Sequence, residues 1–483
     1  MYSKNKLLDI LQVIEDIGLE MNNSVFYINP VSRVSKLHDE KAELLLREIN
    51  EVHLAGKISL RARTFTRIFR VSCMGILMAI AGVKQTRNFH RNISNPEINL
   101  GRNSLVLSHG TYRNIQSEND IYIPIKLDML NSNESIWLYL DHRGKSAIFA
   151  SSKIDRPGLH VILPRTMGLK LLIEFIFQSV YFLKKYLSEI KQTDEKYIEK
   201  IDALNLLIMN QFTMASYANF NFYKNIEEIL KIMPIDNVNI TIEGHPHEEI
   251  IQRLVNLREP NIRFNYFQTA PFCNAQVGIK SFLGHYERNR NSRFYVFGKN
   301  SAEFLRKTND LLDIETIGFR DFVEEHVCKA PKDSILFAPE AMDYENVKFL
   351  EFALKIYERS ADRKFRIRIH PDYRPTLKFR DLQKKLVELG FIFSSQSLNE
   401  DLCQSSFIVY SGSSVSLTGL AHGVTPVYLK NRFDFDTNPL NNGVDGIFRE
   451  INILEEIPDL DFKPIAPKDL RNFYEIEMQR FAR

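Results

Sequence analysis

The chain has 483 residues, of which 44% are hydrophobic and 25% are charged. Single hydrophobic cores rarely grow beyond about 250 to 300 residues, so this length predicts two domains. The 63 Lys and Arg nearly balance the 60 Asp and Glu, giving a formal net charge of +3. This balance argues against a dedicated nucleic-acid binder, which needs a concentrated basic face.

The cysteines and the first residues bear on the compartment in which the protein works. The four cysteines are scattered and lack the paired spacing of a zinc site, so they predict neither a metal centre nor a disulfide framework. The N-terminus lacks the basic start and apolar run of a signal peptide. We therefore expect a cytoplasmic protein, with the inner face of the cell membrane as an alternative location.

The first hundred residues are predicted to be mainly helical. The most apolar stretch, Val71 to Val83, is shorter than the roughly 20 residues needed to cross a bilayer, which favours a buried helix over a membrane-surface contact. The basic segment RARTFTRIFR offers a peripheral contact for anionic lipid or is simply solvated, and the sequence leaves both interpretations open. Residues 169–192 form a long amphipathic pattern that predicts a helix in a core or an interface.

Short apolar runs alternate with helical patterns through the rest of the chain. They begin with SLVLSH and IWLYL, and from about residue 235 the alternation becomes regular, which predicts parallel sheets covered by helices on both faces. A fresh series starts at SILFAP. The predicted fold is therefore α/β, with two Rossmann-like parallel-sheet domains facing across a cleft and a helical N-terminal elaboration. The predicted boundaries are 1–325 and 326–465, followed by a terminal helix over 466–483.

The strongest candidate site combines two predicted strand ends in the second domain. His370 and Pro371 follow one strand, and the SGSS loop Ser411–Ser414 follows another. Ligands of open parallel sheets collect at the carboxyl ends of the strands, where helix N-termini also favour phosphate. These residues therefore predict a phosphate site. The structural alternatives are a histidine bonded into a turn and an ordinary helix N-cap.

The first domain offers candidate acid–base residues at the end of the strand VNITIE. Glu243 and His245 stand close together before a helix, and either one could act as a general base. The alternative is a capped helix start whose acidic residues favour the helix dipole. The intervening Gly and Pro exclude the helical spacing of a zinc protease, so no metal site is predicted. His109 and Asp141, at two other strand ends, are weaker candidates.

The run FAPE, a following helix, RIHPD and the SGSS segment together resemble the nucleotide-binding half of GT-B fold glycosyltransferases of bacterial surface-polysaccharide synthesis. The His-Pro and Ser-Ser pairs are similar to motifs of sialyltransferases and Kdo transferases that use CMP-sugars, and of polymerases that use CDP-glycerol or CDP-ribitol. The resemblance covers about residues 235 to 430.

If the resemblance holds, His370 and Pro371, the loop Ser411, Gly412, Ser413 and Ser414, and Glu340 of FAPE bind the donor. The general base is then Glu243, or alternatively His245, and Gln268 lies on the acceptor side. The donor is a nucleotide-sugar substrate, and neither a metal nor another cofactor is expected. Two departures from the family are Thr269 in place of a histidine after Gln268, and the absence of a glutamate in the helix after the Ser loop.

The leading hypothesis is a transferase that moves a CMP-activated acidic sugar to a surface-glycan or lipid-linked acceptor, as in capsule or lipopolysaccharide synthesis. The near alternative is a CDP-glycerol or CDP-ribitol phosphotransferase with the same donor half. An epimerase of the UDP-GlcNAc type shares the fold, but its acidic and histidine set is not evident. A non-catalytic scaffold of an envelope-assembly complex is the alternative from another class. The oligomeric state is not predicted.

Overall fold

The computed structural model describes most of the chain from residue 4 to residue 452. The described residues are 4–21, 29, 39–93, 103–109, 123, 135–140, 158–164, 168–194, 196–258, 261–283, 290–318, 332–358, 363–371, 373–430, 435–441 and 448–452. The predicted terminal helix over 466–483 and the boundary predicted at residues 325 and 326 lie outside these ranges. None of the described helices is both long and apolar enough to cross a membrane.

Thirteen strands and twelve helices are present in the described ranges. The strands are β1 Asn103–His109, β2 Ser135–Leu140, β3 Leu159–Ile162, β4 Ile235–Ile242, β5 Arg263–Gln268, β6 Ser292–Val296, β7 Asp313–Thr316, β8 Ser334–Phe337, β9 Lys364–Ile367, β10 Ile392–Phe393, β11 Ser405–Tyr410, β12 Thr425–Lys430 and β13 Arg449–Asn452. The helices are α1 Lys4–Met21, α2 Asp39–Ile93, α3 Leu169–Gln192, α4 Ile198–Gln211, α5 Met214–Ile232, α6 Pro246–Arg258, α7 Val277–Leu283, α8 Lys299–Thr308, α9 Asp343–Tyr357, α10 Leu377–Glu388, α11 Leu398–Gln404 and α12 Val415–Ala421.

The strands form two parallel sheets. The first sheet has seven strands in the order β3-β2-β1-β4-β5-β6-β7, and the second has six in the order β10-β9-β8-β11-β12-β13. All of their pairings are parallel. In both sheets the first three strands are added in one direction from the centre, and the chain then returns to the centre and adds the remaining strands in the other direction. This is doubly wound topology. The predicted α/β fold with two Rossmann-like domains is confirmed.

The N-terminal helices belong to the first domain. Ile10 and Ile14 of α1 and Leu45 of α2 are fully or almost fully buried in the same hydrophobic cluster as Leu207 of α4 and Ile240 of β4. The predicted helical N-terminal elaboration is therefore confirmed. It is anchored by burial of apolar side chains, each of which stabilises the fold by roughly 1.5 to 3 kcal/mol.

The apolar stretch in α2 differs from its prediction. A buried helix was expected over Val71 to Val83, and Val71 and Ala79 are indeed buried. Leu77 and Ile80, however, are 60% and 69% exposed. Only the side of α2 that carries Val71 is buried, because α3 and α5 pack against this side and leave the opposite side uncovered.

One segment of the second domain packs against the first. Residues 435–441 follow β12, and Phe435 is buried in the hydrophobic cluster of the first domain. The backbone N–H of Ala275 donates to the carbonyl of Asp436 at 2.9 Å, and the side-chain amide of Asn274 donates to the Asp436 carboxylate at 2.7 Å. Since Asn274 lies beyond β5 and Asp436 lies beyond β12, the carboxyl edges of the two sheets face each other.

Three details were not predicted. The strands β3 and β13 are short, and their apolar runs did not stand out from the surrounding loops. Among the described cysteines, Cys73 and Cys273 are free, whereas Cys403 is disulfide-bonded. The sequence predicted no disulfide framework and did not indicate this bond, because the spacing of cysteines along the chain does not show which of them the fold brings together.

Candidate functional site

Each sheet has one topological switch point. It lies between β1 and β4 in the first sheet and between β8 and β11 in the second. Ligands of doubly wound sheets bind beyond the carboxyl ends of the strands at such points. Glu243 follows β4 directly, and Ser411 follows β11 directly. Two of the predicted site residues therefore lie at switch points.

A carboxylate–imidazole pair stands at the switch point of the first sheet. The Nε2 atom of His245 lies 2.9 Å from Oε2 of Glu243, and the Thr269 hydroxyl donates a hydrogen bond to Oε1 of the same carboxylate. The side chains of His245 and Glu243 are 36% and 26% exposed. The pair is thus held by the protein on one side and open to solvent on the other, as a group that exchanges protons with a ligand must be.

The electrostatics of the pair favour a charged imidazole. Partial burial lowers the pKa of His245, but the hydrogen bond and the charge of Glu243 raise it, as does the charge of Glu248, to about 9. His245 is therefore an imidazolium at neutral pH. Burial raises the pKa of Glu248, while the charge of His245 and hydrogen bonds from the backbone oppose the rise. The adjacent ring of His247 stacks on His245 with centroids 5.3 Å apart.

The loop that carries the pair is held rigidly. Glu248, in the first turn of α6, accepts hydrogen bonds from the backbone N–H groups of Glu243 at 2.8 Å, Gly244 at 2.8 Å and His245 at 3.2 Å. Gly244 has a φ of +81°, and a Cβ atom added there would lie 2.7 Å from the backbone nitrogen of Ile279. Only glycine fits both the conformation and the space.

The Ser loop at the second switch point combines structural and exposed groups. The hydroxyl of Ser413 accepts the N–H of Val415 at 3.3 Å, so part of its role is to cap α12. Ser414 is exposed and makes no side-chain capping hydrogen bond. Gly412 is partly exposed and Ser411 is only 4% exposed. The groups that a ligand can reach are those of Gly412 to Ser414.

His370 lies in the loop after β9, which is two strands away from β11. It follows β9 by three residues and is partly exposed, and Pro371 is exposed. Because β8 separates β9 from β11, the two strand axes are about 10 Å apart. The hydroxyl of Tyr373 donates a hydrogen bond to Asp343, the first residue of α9. This bond ties the His370 loop to the loop between β8 and α9.

Between these two strand ends lies the loop of Glu340. The Glu340 side chain is partly exposed, and its backbone N–H donates to the carboxylate of Glu345 at 3.2 Å. A small cavity beside this loop is lined by Asp39, Glu40, Met342, Tyr344, Glu345, Lys348 and Ser411. The lining combines three carboxylates with the Lys348 ammonium group, which lies 3.8 Å from the Asp39 carboxylate. Ser411 is only 4% exposed, and its contact with donor phosphate stays a prediction.

The acceptor-side candidates have different outcomes. Gln268 is 1% exposed, and its side chain donates to the carbonyl of Ala270 at 3.0 Å and accepts the N–H of Phe297 at 2.8 Å. Its amide thus joins two loops of the first sheet, and its place on the acceptor side stays a prediction. His109 is the last residue of β1, at the switch point beside Glu243. Asp141 lies outside the described residues.

Some contributors to the site were not predicted as such. Thr269 was noted only as a departure from a family pattern, yet it bonds to Glu243. In α12, Ser416 is fully buried and Thr418 is 6% exposed, and the Ser416 hydroxyl donates to the carbonyl of Ser413 at 3.0 Å. Helix α12 contains no Asp or Glu, so it offers no carboxylate to a donor. Among the described residues no group of three or more His, Cys, Asp or Glu has the arrangement of a metal site.

Comparisons with known proteins concern the fold alone. No family model and no curated protein matches the chain. A UDP-GlcNAc 2-epimerase of Methanocaldococcus jannaschii, in complex with UDP-GlcNAc and UDP, aligns at 12% identity and a TM-score of 0.43, over 73% of this chain and 89% of that one. UGT2 of Phytolacca americana, complexed with UDP-2-fluoro-glucose and pterostilbene, aligns at 10% identity and a TM-score of 0.38, over 71% and 82% of the two chains.

The wall teichoic acid polymerase TagF aligns over 88% of this chain and 91% of that chain, at 12% identity and a TM-score of 0.35. All three TM-scores are below 0.5, so the alignments do not bear on function. The strand orders of the two sheets remain the basis for the fold.

Proposed function

We propose that the chain is a transferase that uses a nucleotide-activated donor and works in the synthesis of a cell-surface glycan. The observation that carries the proposal is the meeting of the two carboxyl edges through Asn274 and Asp436, at 2.7 Å. We infer that the Glu243–His245 pair at one edge and the loop of reachable hydroxyl and N–H groups at the other face a shared space. Such an arrangement suits a group transfer between a donor and an acceptor bound on opposite sides.

The proposed donor is a CMP-activated acidic sugar, on the resemblance of the His-Pro and Ser-Ser pairs to CMP-sugar transferases. Ser413, Ser414 and Gly412 would hold the donor phosphate through hydroxyl and N–H groups, and His370 would donate to a phosphate oxygen. These contacts stabilise the charge that develops on the leaving nucleotide. The proposed transfer involves no metal. A CDP-glycerol or CDP-ribitol donor fits the same groups and remains the alternative.

The proposed acid–base group is the Glu243–His245 pair. Glu243 would accept the proton of the acceptor hydroxyl as that oxygen attacks the donor, and the His245 imidazolium would keep the carboxylate ionised until then. The bond between the acceptor oxygen and the transferred group forms while the bond to the nucleotide breaks, and the nucleotide leaves with the electron pair. Closure of the cleft would exclude water and limit hydrolysis of the donor.

A donor screen tests the proposal. Purified protein is incubated with CMP-sialic acid, CMP-Kdo, CDP-glycerol, UDP-sugars or GDP-sugars together with envelope extracts as acceptors, and the released nucleotide is measured. We expect release from a CMP-sugar. Glu243→Gln should reduce release by about 100-fold or more, as expected for loss of a general base. The control Glu351→Gln, at an exposed ion pair on α9, should leave release unchanged.

Two further results distinguish the alternatives. Release from CDP-glycerol alone would favour the phosphotransferase. A rise in Tm with CMP but no release from any donor would favour the non-catalytic scaffold, because a ligand that binds only the folded state stabilises it. Replacing His370 with Ala should reduce release with little change in Tm. Equal losses in release and Tm would instead assign His370 a structural role.

A further inference from the structure

The outer side of α2 carries a stripe of exposed apolar residues. Phe65, Phe69, Ile76 and Ile80 are 71%, 65%, 43% and 69% exposed. At 100° per residue these four positions fall within about 60° of one another on the helix, so they form one line of side chains. The buried residue Val71 lies on the opposite side of the helix. Isolated exposed apolar residues are ordinary, but an aligned stripe marks an interaction surface.

The adjacent helix α3 extends this surface. Leu169, Ile173, Phe177 and Tyr181 recur at every fourth position and are 53%, 47%, 73% and 62% exposed. The two helices approach closely, because a Cβ atom added at Gly75 would lie 2.5 Å from Cδ1 of Leu172. We call the exposed rows of α2 and α3 together the apolar face. It holds eight large side chains on two neighbouring helices.

The charge around the apolar face is mainly positive, although Arg63 and Arg67 of α2 pair with Glu51 and Glu48. From Val52 to Pro96 the chain contains eight Lys and Arg and no Asp or Glu, although its overall net charge is only +3. Arg70 on α2 and Lys170 and Lys184 on α3 are exposed. The acidic Glu174 of α3 is paired with Lys224 at 2.7 Å. The surface that surrounds the apolar face is therefore basic.

This combination identifies the occupant. An apolar stripe bordered by Lys and Arg is the pattern of a helix that lies in the plane of a membrane, where the apolar side chains enter the headgroup region and the cations meet lipid phosphates. A symmetric contact between two copies would instead bring two basic surfaces together, which is unfavourable. The charge thus selects an anionic bilayer over a second copy of the chain.

We propose that the apolar face of α2 and α3 docks the protein on the surface of an anionic membrane. The docking is peripheral, with both helices lying along the surface. This inference rests on exposure and charge, not on the proposed function, and it stands whether or not the chain is a transferase.

Vesicle co-flotation of the full chain tests the inference. We expect binding to vesicles of phosphatidylcholine with 30% phosphatidylglycerol, at least about tenfold weaker binding to phosphatidylcholine alone, and weaker binding at high salt. The double variant Phe69→Ser/Phe177→Ser should reduce binding by about tenfold or more. The matched control Leu257→Ser/Leu377→Ser replaces two equally exposed residues, at 74% and 78%, away from the apolar face, and should bind as the unmodified chain does.

A second variant covers the case in which the first one fails to fold. Arg70→Gln/Lys170→Gln removes only charge at exposed positions and should weaken binding to anionic vesicles but not to neutral ones. The inference is overturned if the unmodified chain does not float with anionic vesicles, or if the control loses as much binding as the apolar-face variant. It is also overturned if sedimentation shows a dimer that Phe69→Ser/Phe177→Ser dissociates while no vesicle binds.

Discussion

Glu248 and Glu345 hold the same local position in the two domains. Each is the third residue of the helix that follows a strand at a switch point. The Glu248 carboxylate accepts the N–H of Glu243 at 2.8 Å, and that of Glu345 accepts the N–H of Glu340 at 3.2 Å. In both cases the donor lies five residues earlier. Each buried carboxylate thereby holds the loop between strand and helix at the positive end of its helix.

The loop after β4 should not tolerate a side chain at Gly244. Gly244→Ala should lower the free energy of unfolding by about 2 to 4 kcal/mol, because the variant pays for both a positive φ and a clash with the α7 backbone. Gly390→Ala is the matched control, since Gly390 has a φ of +89° but open space around its Cβ position, and should cost only about 1 kcal/mol. Urea denaturation measures both. Equal costs would show that the loop moves freely away from Ile279.

The His245–Glu243 pair should make stability depend on pH. The pKa of His245 is raised from 6.5 to about 9 in the folded protein, so the folded state binds a proton that the unfolded state loses first. The contribution of His245 to stability is therefore complete below about pH 6.5 and disappears as the pH rises through about 9. His245→Asn should lower the Tm at pH 6 but not at pH 9.5. A difference in Tm that is constant across this range would contradict the raised pKa.

The contact between α2 and α9 should contribute to stability through a buried ion pair. Nζ of Lys348 lies 3.8 Å from the carboxylate of Asp39, and the two side chains are 11% and 3% exposed. Lys348→Met should cost about 2 to 4 kcal/mol, because it leaves the buried Asp39 without this counter-charge. The control Lys378→Met removes an ion pair in which Lys378 is 66% exposed and should cost less than about 1 kcal/mol. Chemical denaturation of the unmodified chain and of the two variants measures these differences in the free energy of unfolding.

Phe435 follows a strand of the second domain but should stabilise the first domain, in whose hydrophobic cluster it is buried. Phe435→Ala should cost about 3 to 5 kcal/mol and reduce hydrogen-exchange protection of first-sheet amides such as those of Ile240 and Tyr266. Phe379→Ala, in the hydrophobic cluster of the second domain, should instead affect second-sheet amides. If Phe435→Ala left the first sheet fully protected, the packing between the domains would contribute nothing to its stability.

The sequence predicted the fold well because each buried strand is a local apolar run. The strands that end before Glu243 and Ser411 were located from such runs, and the parallel arrangement followed from their alternation with helices. Contacts between distant segments could not be predicted in this way. The hydrogen bond from Thr269 to Glu243 and that from Asn274 to Asp436 depend on how strands are ordered within a sheet and on how sheets face each other. The local pattern of apolar residues contains neither the order of the strands nor the orientation of the two sheets.

The same limit explains the error in α2. The stretch from Val71 to Val83 is apolar on all sides, so its pattern cannot show which side is covered or whether any side is. Only the position of α3 against Gly75 determines that Ile76 and Ile80 remain exposed. The position of Asp39 and Glu40 in the same cavity as Ser411 could not be predicted for a related reason, since these two residues belong to a helix more than 370 positions earlier in the chain.

Helix α2 contacts both domains at once. Its first residue, Asp39, is paired with Lys348 of the second domain, while Leu45 and Ile49 are buried in the first. A separation of the two domains must therefore either break this ion pair or pull the first turn of α2 away from the first domain. Helix α2 therefore couples the relative position of the two domains to the elements that hold its C-terminal part, among them α3 and α5.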